Sequence, residues 1–184
     1  MRRMMMQIQT ERLMIRYFKE EDAKDLYDYL SKEEVLKYEP YPTFSYEDAV
    51  KEAKNRASNK DFYAVVVKDT GKVIGNLYFS KGDFDTWEIG YVFNNDFWGY
   101  GYATEAAKAL MTHAFANWEA RRVIAMCNPK NEHSWKLLER LGMRREGTLL
   151  SNIYFFKNEK DEPIWQDTYE YGILKDEWTL SLKE

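Results

Sequence analysis

The stretch from Trp87 to Ala107, WEIGYVFNNDFWGYGYATEAA, most constrains what this chain can fold into. Thr86 to Phe93 is rich in β-branched and aromatic residues and reads as a strand. A short polar loop and the turn Gly99-Tyr100-Gly101 follow. From Ala103 the apolar residues fall at helical spacing through Ala106, Ala107, Leu110, Met111, Ala114 and Phe115. Several are alanines, so this helix can lie close to a sheet. A strand that feeds a glycine turn and a helix N-terminus suits an anionic, phosphate-bearing ligand. The first N–H groups of a helix lack intrahelical partners, and the helix dipole adds partial positive charge there. Gly99 and Gly101 let the backbone approach such a ligand and adopt positive φ.

The flanking sequence supplies a sheet. Ile8 to Tyr17 alternates as a half-buried strand, and Glu20 to Leu30 carries Ala23, Leu26, Tyr27 and Leu30 as one helical face. Pro40 and Pro42 impose a loop, after which Ser45 and Asp48 form a capping box with Val50, Ala53 and Ala57 as a narrow apolar face. Asp61–Val67 and Lys72–Ser80 read as a hairpin turning at Asp69-Thr70-Gly71. Arg122–Cys127 is a short strand, Asn131 caps a helix that stops at Gly142, and Met143–Phe156 and Ile164–Leu174 are two long strands. The order is β-α-α-β-β-β-α-β-α-β-β, an α/β layout with a mixed sheet.

The 184 residues read as a single domain, 1–184. A net charge of −4 argues against a nucleic-acid binder held by phosphate contacts. Cys127, the only cysteine, excludes an intramolecular disulfide and points to a cytoplasmic setting. The opening MRRMMM lacks the apolar core of a signal peptide, and no apolar run is long enough to span a bilayer, so no membrane partner is expected.

WGYGYATEA followed by NPKNEHSWKLLERLGM resembles the GCN5-related N-acetyltransferases (GNAT), closest to the Rim-type branch that acetylates ribosomal-protein N-termini. TERLMIR at the start and DTYEYGILKDEW at the end are similar to that branch's opening and closing strands. The resemblance implies a mostly antiparallel sheet of six to seven strands flanked by about four helices. It implies acetyl-CoA as co-substrate, an amine acceptor, direct attack in a ternary complex, and a monomer or homodimer. Trp98, Gly99, Tyr100, Gly101, Tyr102 and Ala103 map onto the pyrophosphate loop, with Thr104 beside them and Trp98 replacing the usual Arg or Gln. By position, Tyr91, Val92 and Phe93 hold the pantetheine arm through their backbone, and Asn131 contacts it. The tyrosine that protonates the departing thiolate in many members is Leu138 here; the Rim-like branch instead uses a serine, which maps to Ser134.

Glu88, on the strand expected to carry the thioester, is the first choice for general base, with a salt-bridged strand glutamate as the alternative. Glu105 is the second choice; its alternative is a first-turn glutamate that suits the helix dipole. His113 and His133 have no metal-ligand spacing, so no metal is expected. Tyr38, Tyr41, Phe44, Tyr78 and Trp87 are candidates for an acceptor cleft or for core. A dinucleotide fold would need a glycine where Thr104 stands. The acceptor is either a protein N-terminus or a small-molecule amine, and a non-catalytic acyl-CoA-binding sensor is the reading from another class.

Overall fold

The computed structural model describes residues 7–181; the MRRMMM segment lies outside them. The chain runs β1 (Gln7–Gln9), β2 (Leu13–Tyr17), α1 (Ala23–Leu30), α2 (Glu33–Leu36), α3 (Tyr46–Ser58), β3 (Phe62–Val67), β4 (Val73–Lys81), β5 (Thr86–Phe93), α4 (Tyr102–Asn117), β6 (Arg122–Cys127), α5 (Glu132–Arg140), β7 (Arg144–Lys157), β8 (Pro163–Leu174) and α6 (Lys175–Ser181). The described strands form one sheet in the order β1-β2-β3-β4-β5-β6-β8-β7. β5 and β6 are parallel, and the other neighbours are antiparallel.

The sheet has eight strands rather than six or seven. The run expected as one strand from Ile8 to Tyr17 breaks into β1 and β2, which pair with each other at Ile8↔Ile15. Thr10 makes the break: its hydroxyl accepts from Leu13 N at 2.9 Å while its own N–H donates to Leu13 O at 2.9 Å. The described residues form six α-helices rather than about four. α2 is too short to show a period. α6 begins at Lys175, directly after the strand expected to end at Leu174, and the Glu177 carboxylate turns back to accept from Leu174 N at 2.8 Å.

The two faces of the sheet are covered separately. α4, α5 and α6 pack on the face carrying Leu77, Phe79, Ile89 and Tyr171. α1, α2 and α3 pack on the face carrying Ala64, Val66 and Val92. The capping box at Ser45 and Asp48 forms as expected. The inward face of α3 does not: it is Ala49, Ala53 and Arg56, and Val50 is exposed. Arg56 explains the rotation. Its side chain is 2% exposed, ion-paired to Glu52 at 2.7 Å and bonded through Nη1 to Asn76 Oδ1 at 2.8 Å. The same Asn76 oxygen accepts from the buried Tyr29 hydroxyl at 2.9 Å.

One feature of the topology makes a site. β5 and β6 pair only from Thr86↔Arg122 to Glu88↔Ile124. Beyond that point β6 stays with β8 as far as Cys127↔Tyr169, while β5 stays with β4 as far as Gly75↔Phe93. The two strands therefore diverge and leave a wedge in the sheet.

Asn76→Leu removes the shared acceptor of two buried donors. It is expected to lower the unfolding free energy by about 2–5 kcal/mol. Urea denaturation followed by tryptophan fluorescence measures this, and a loss under about 1 kcal/mol would mean that the donors find other partners.

Candidate active site

A cavity of about 630 Å³ occupies the wedge. Ile89–Phe93 form one wall and Ala125–Asn128 the other. The glycine turn, Tyr38–Pro40, Gln166 and Asp167 complete the lining.

At the glycine end, Gly99 (φ +83°) and Gly101 (φ +80°) are both left-handed. Gly101 is the N-cap of α4 and no side chain caps the helix. The first intrahelical bond is Glu105 N to Gly101 O, so the amides of Tyr102, Ala103 and Thr104 remain free for an anion. Arg12 braces this turn from behind. Its Nη1 donates to Tyr100 O at 3.0 Å and its guanidinium lies 4.3 Å over the Tyr102 ring. Arg12 did not stand out in the sequence, because the contact joins β2 to a turn far along the chain.

Glu105 belongs to that brace. It pairs with Arg12 at 2.6 Å and accepts from the Thr10 hydroxyl at 2.5 Å. Partial burial pushes its carboxyl up, but the bonds from Thr10 and Arg12 outweigh this and hold it below the ordinary range. A carboxylate so held is a poor proton acceptor, which corrects its candidacy as a base. Two members of the expected loop also change role. Tyr100 points away and is 64% exposed, absent from the cavity wall. Trp98 serves as a wall, its indole N–H donating to Phe93 O at 2.9 Å beside the His133 ring.

The register with β4 decides which backbone groups of β5 face the wedge. Asn94 N donates to Ile74 O, so alternate residues Val92 and Gly90 turn their N–H and C=O toward β4. A Cβ on Gly75 would lie 2.6 Å from Val92 O, which confirms that this carbonyl faces β4. Tyr91 and Phe93 therefore present their backbone to the cavity and Val92 does not. Trp98 already occupies the Phe93 carbonyl. The free groups on this edge are the Phe93 amide and both groups of Tyr91.

The Tyr91 side chain passes to the α5 side. Its hydroxyl lies 3.0 Å from both Ser134 O and Ser134 Oγ. Burial pushes this phenol far above its ordinary range. Asn131 caps α5, its Oδ1 accepting from Ser134 N at 3.3 Å. Asn131, Ser134 and Cys127 line the cavity, whereas Leu138 is fully buried in the core. Burial also drives the Cys127 thiol up to about 11, although the Ser134 hydroxyl bonded to it acts the other way.

Tyr38, an acceptor-cleft candidate, also lines the cavity, beside residues that the sequence did not single out. The Tyr38 hydroxyl donates to Lys130 O at 2.9 Å and straps the proline-bounded loop across the cavity. Next to it Glu39 lines the wall, its carboxyl raised to about 7 by burial, against the opposing pull of Tyr41 and Arg56. Asn128 Nδ2 donates to Gln166 Oε1 at 2.7 Å, and Asp167 accepts from Ser151 N at 2.7 Å. Glu88 sits where the wedge closes, opposite Ser80 and Ile124, outside the cavity wall, with its carboxyl raised by burial. Of the aromatic cleft candidates only Tyr38 lines the cavity; Trp87 stacks on Phe79 and Trp118 in the core. His133 lines the cavity and His113 packs edge-on against Trp118. No cluster of potential metal ligands occurs among the described residues, nor a helix long and apolar enough to cross a membrane.

Comparisons with known proteins agree on a family. Residues 12–144 match the family model described as Acetyltransferase (GNAT) domain. The chain is 39% identical to "Uncharacterized N-acetyltransferase YnaD" of Bacillus subtilis, over 94% of this chain and 99% of that protein. It is 24% identical to "[Ribosomal protein uS5]-alanine N-acetyltransferase" of Escherichia coli, over 92% of this chain and 91% of that one. The crystal structure of a GNAT-family acetyltransferase from Bacillus anthracis superposes with a TM-score of 0.84 at 34% identity, covering 93% of this chain and 99% of that one.

The raised Cys127 thiol gives a direct test of its burial. At pH 8 its alkylation by iodoacetamide is expected to run about 100-fold or more below that of an ordinary thiol of pKa about 8.5. The rate should climb roughly tenfold per pH unit toward pH 11, since only the thiolate reacts. A native rate equal to that of the urea-unfolded chain would contradict the burial.

Proposed function

The chain belongs to the GNAT acetyltransferase family, and on that premise we propose that it transfers acetyl from acetyl-CoA to a primary amine by direct attack in a ternary complex. The observation that carries this reading is the wedge between β5 and β6. One continuous cavity joins free amides at a helix N-terminus, an unpaired strand edge, and a hydroxyl on α5.

Each feature meets one requirement of the reaction. The amides of Tyr102, Ala103 and Thr104, with the turn at Gly99 and Gly101, take the pyrophosphate. The backbone of Tyr91 and the Phe93 amide pair with the pantetheine arm, and one of these amides faces the developing oxyanion. Trp98 and Asn131 bound the arm on either side. The departing thiolate, of pKa about 8.5 by analogy with cysteine, needs only a hydrogen-bond donor, and Ser134 supplies it. Glu88 lies at the closed end of the wedge, so a role as base requires an intervening water.

The acceptor classes are a protein N-terminus and a small amine. The name of the Escherichia coli relative favours the first, and so does the energetics. An α-amine, of pKa about 7.7–8.0, is much closer to neutral at pH 7 than a lysine of about 10.4. The lone cysteine and the chemistry of acetyl-CoA fit a cytoplasmic enzyme.

Calorimetry with acetyl-CoA is expected to show one site per chain. Gly101→Val should weaken binding by about tenfold or more, because a β-branched residue is strained at positive φ and crowds the anion. No binding at millimolar acetyl-CoA would overturn the reading. In an acceptor screen read by thiol release, N-terminal peptides and small amines should release CoA above the hydrolytic background. Ser134→Ala should lower turnover by about tenfold or more and leave the KM for acetyl-CoA nearly unchanged; wild-type turnover would remove Ser134 from the mechanism.

A further inference from the structure

Resting on the acetyl-transfer reading, we infer that Glu39 is the group that takes the proton from the acceptor, a base suited to an α-amino group rather than to a lysine side chain. Glu39 lies in the cavity wall between Tyr38, which is strapped to Lys130 O, and Pro40, which restricts the backbone. Its own N–H is fixed to Leu36 O at 2.9 Å. The carboxylate is thus carried by a loop tied to Lys130 through Tyr38 and to the end of α2 through its own N–H.

Structural roles do not account for it. A half-buried glutamate in a cavity wall is commonly paired with a cation. The cation in this region is Arg56 on α3, and Glu52 and Asn76 already satisfy it. No ion pair of Glu39 occurs among the described residues. Its hydrogen bond from the Tyr41 hydroxyl is 3.5 Å long, too weak to hold it as a structural link. A second carboxylate, Asp167, also lines the cavity, as does the Asn128–Gln166 amide pair. A mouth lined by two carboxylates and neutral amides suits a ligand that arrives as an ammonium ion. Glu105, the rival in the first turn of α4, is locked to Arg12, and Glu88 is outside the wall.

The proton then has a defined route. The acceptor ammonium gives one proton to the Glu39 carboxylate and becomes a neutral amine. Its nitrogen lone pair attacks the thioester carbonyl carbon. The C–S bond breaks and its electron pair leaves on sulfur, where the Ser134 hydroxyl meets it. The second nitrogen proton passes to the thiolate as the amide forms, and Glu39 returns its own proton to solvent.

Proton affinity sets the selectivity. Burial holds Glu39 near 7, with Tyr41 on its own loop and Arg56 on α3 opposing this. Transfer from an α-ammonium of pKa about 7.7–8.0 is uphill by roughly tenfold, and from a lysine of about 10.4 by roughly 2,000-fold. Below pH 7 Glu39 is protonated and the route closes.

The test compares wild type with Glu39→Gln, on a short peptide with a free N-terminus and on its N-blocked, lysine-bearing counterpart. For wild type, kcat/KM with the α-amine should rise through a step near pH 7 and exceed that with lysine by about 100-fold or more. Glu39→Gln should fall about 100-fold at pH 7, lose that step, and recover toward pH 9 as the amine deprotonates by itself. Acetyl-CoA affinity by calorimetry should be kept, which separates a lost base from a lost fold. A Glu39→Gln profile equal to wild type, or equal use of lysine, overturns the inference while leaving acetyl transfer intact. Carbon-13 NMR of glutamate carboxyls decides the matter without turnover. One resonance, absent in Glu39→Gln, should titrate near pH 7. If every glutamate titrates below about pH 5.5, the inference fails. Wild type that binds no acetyl-CoA would instead sink the acetyl-transfer reading.

Discussion

The separation of β5 from β6 is the constraint on which the rest of the site depends. A strand edge in a protein interior has unpaired amides and carbonyls that must find partners. β5 keeps its bonds to β4 along its whole length, and β6 keeps its bonds to β8. Neither can bend toward the other without losing a ladder. The wedge is therefore held open by hydrogen bonds on its outer sides, and its inner edge stays free for a ligand that brings its own amides. Trp98 terminates that edge by taking the Phe93 carbonyl, so the strand offers a short row of groups rather than an open template.

Two parts of the cavity lining differ in charge chemistry. One part is an uncapped helix N-terminus, stiffened by the Arg12–Glu105 pair lying behind it. That pair has a second consequence. Arg12 is a full cation close to an anion-binding turn, but its guanidinium is neutralised by Glu105 and held on Tyr100 O, so the backbone amides carry the recognition. The other part concentrates carboxylates and amides around Tyr38 and the β7–β8 pair. Free amides and carboxylates thus line different parts of one cavity.

Features encoded by neighbours in the chain were legible in the sequence. The capping box at Ser45 and Asp48, the Asn131 cap, the alanine stripe of α4 and the stop at Gly142 each depend on residues within a turn or two, and each forms. Features that depend on distant partners were not legible. Period-two alternation places Tyr91, Val92 and Phe93 on a strand, but only the β4 register shows that Val92 turns its backbone away from the cavity. Glu105 has a plausible place in a first helical turn, and only Thr10 and Arg12, some ninety residues earlier, reveal what it binds. Glu39 sits in a proline-bounded aromatic loop without periodicity. Its burial comes entirely from tertiary packing, so no local pattern could mark it.

The hydroxyl pair beside Leu138 completes the logic of the thiolate end. A leucine at that helix position supplies no proton, and it is fully buried where a polar group would be costly. Tyr91 and Ser134 supply the hydrogen-bonding groups from elsewhere. The phenol has one proton and two acceptors at 3.0 Å, the carbonyl and the hydroxyl of Ser134. When it donates to the carbonyl, the serine proton is free to point at the phenol oxygen or at Cys127. When a thiolate draws the serine proton toward itself, the phenol can turn its proton onto Ser134 Oγ without losing a bond. Burial keeps the phenol from ionising, so it adjusts the hydroxyl ahead of it and does not become the proton source. A strand residue thus orients a short serine at the cavity wall, on a helix whose Leu138 carries no hydroxyl.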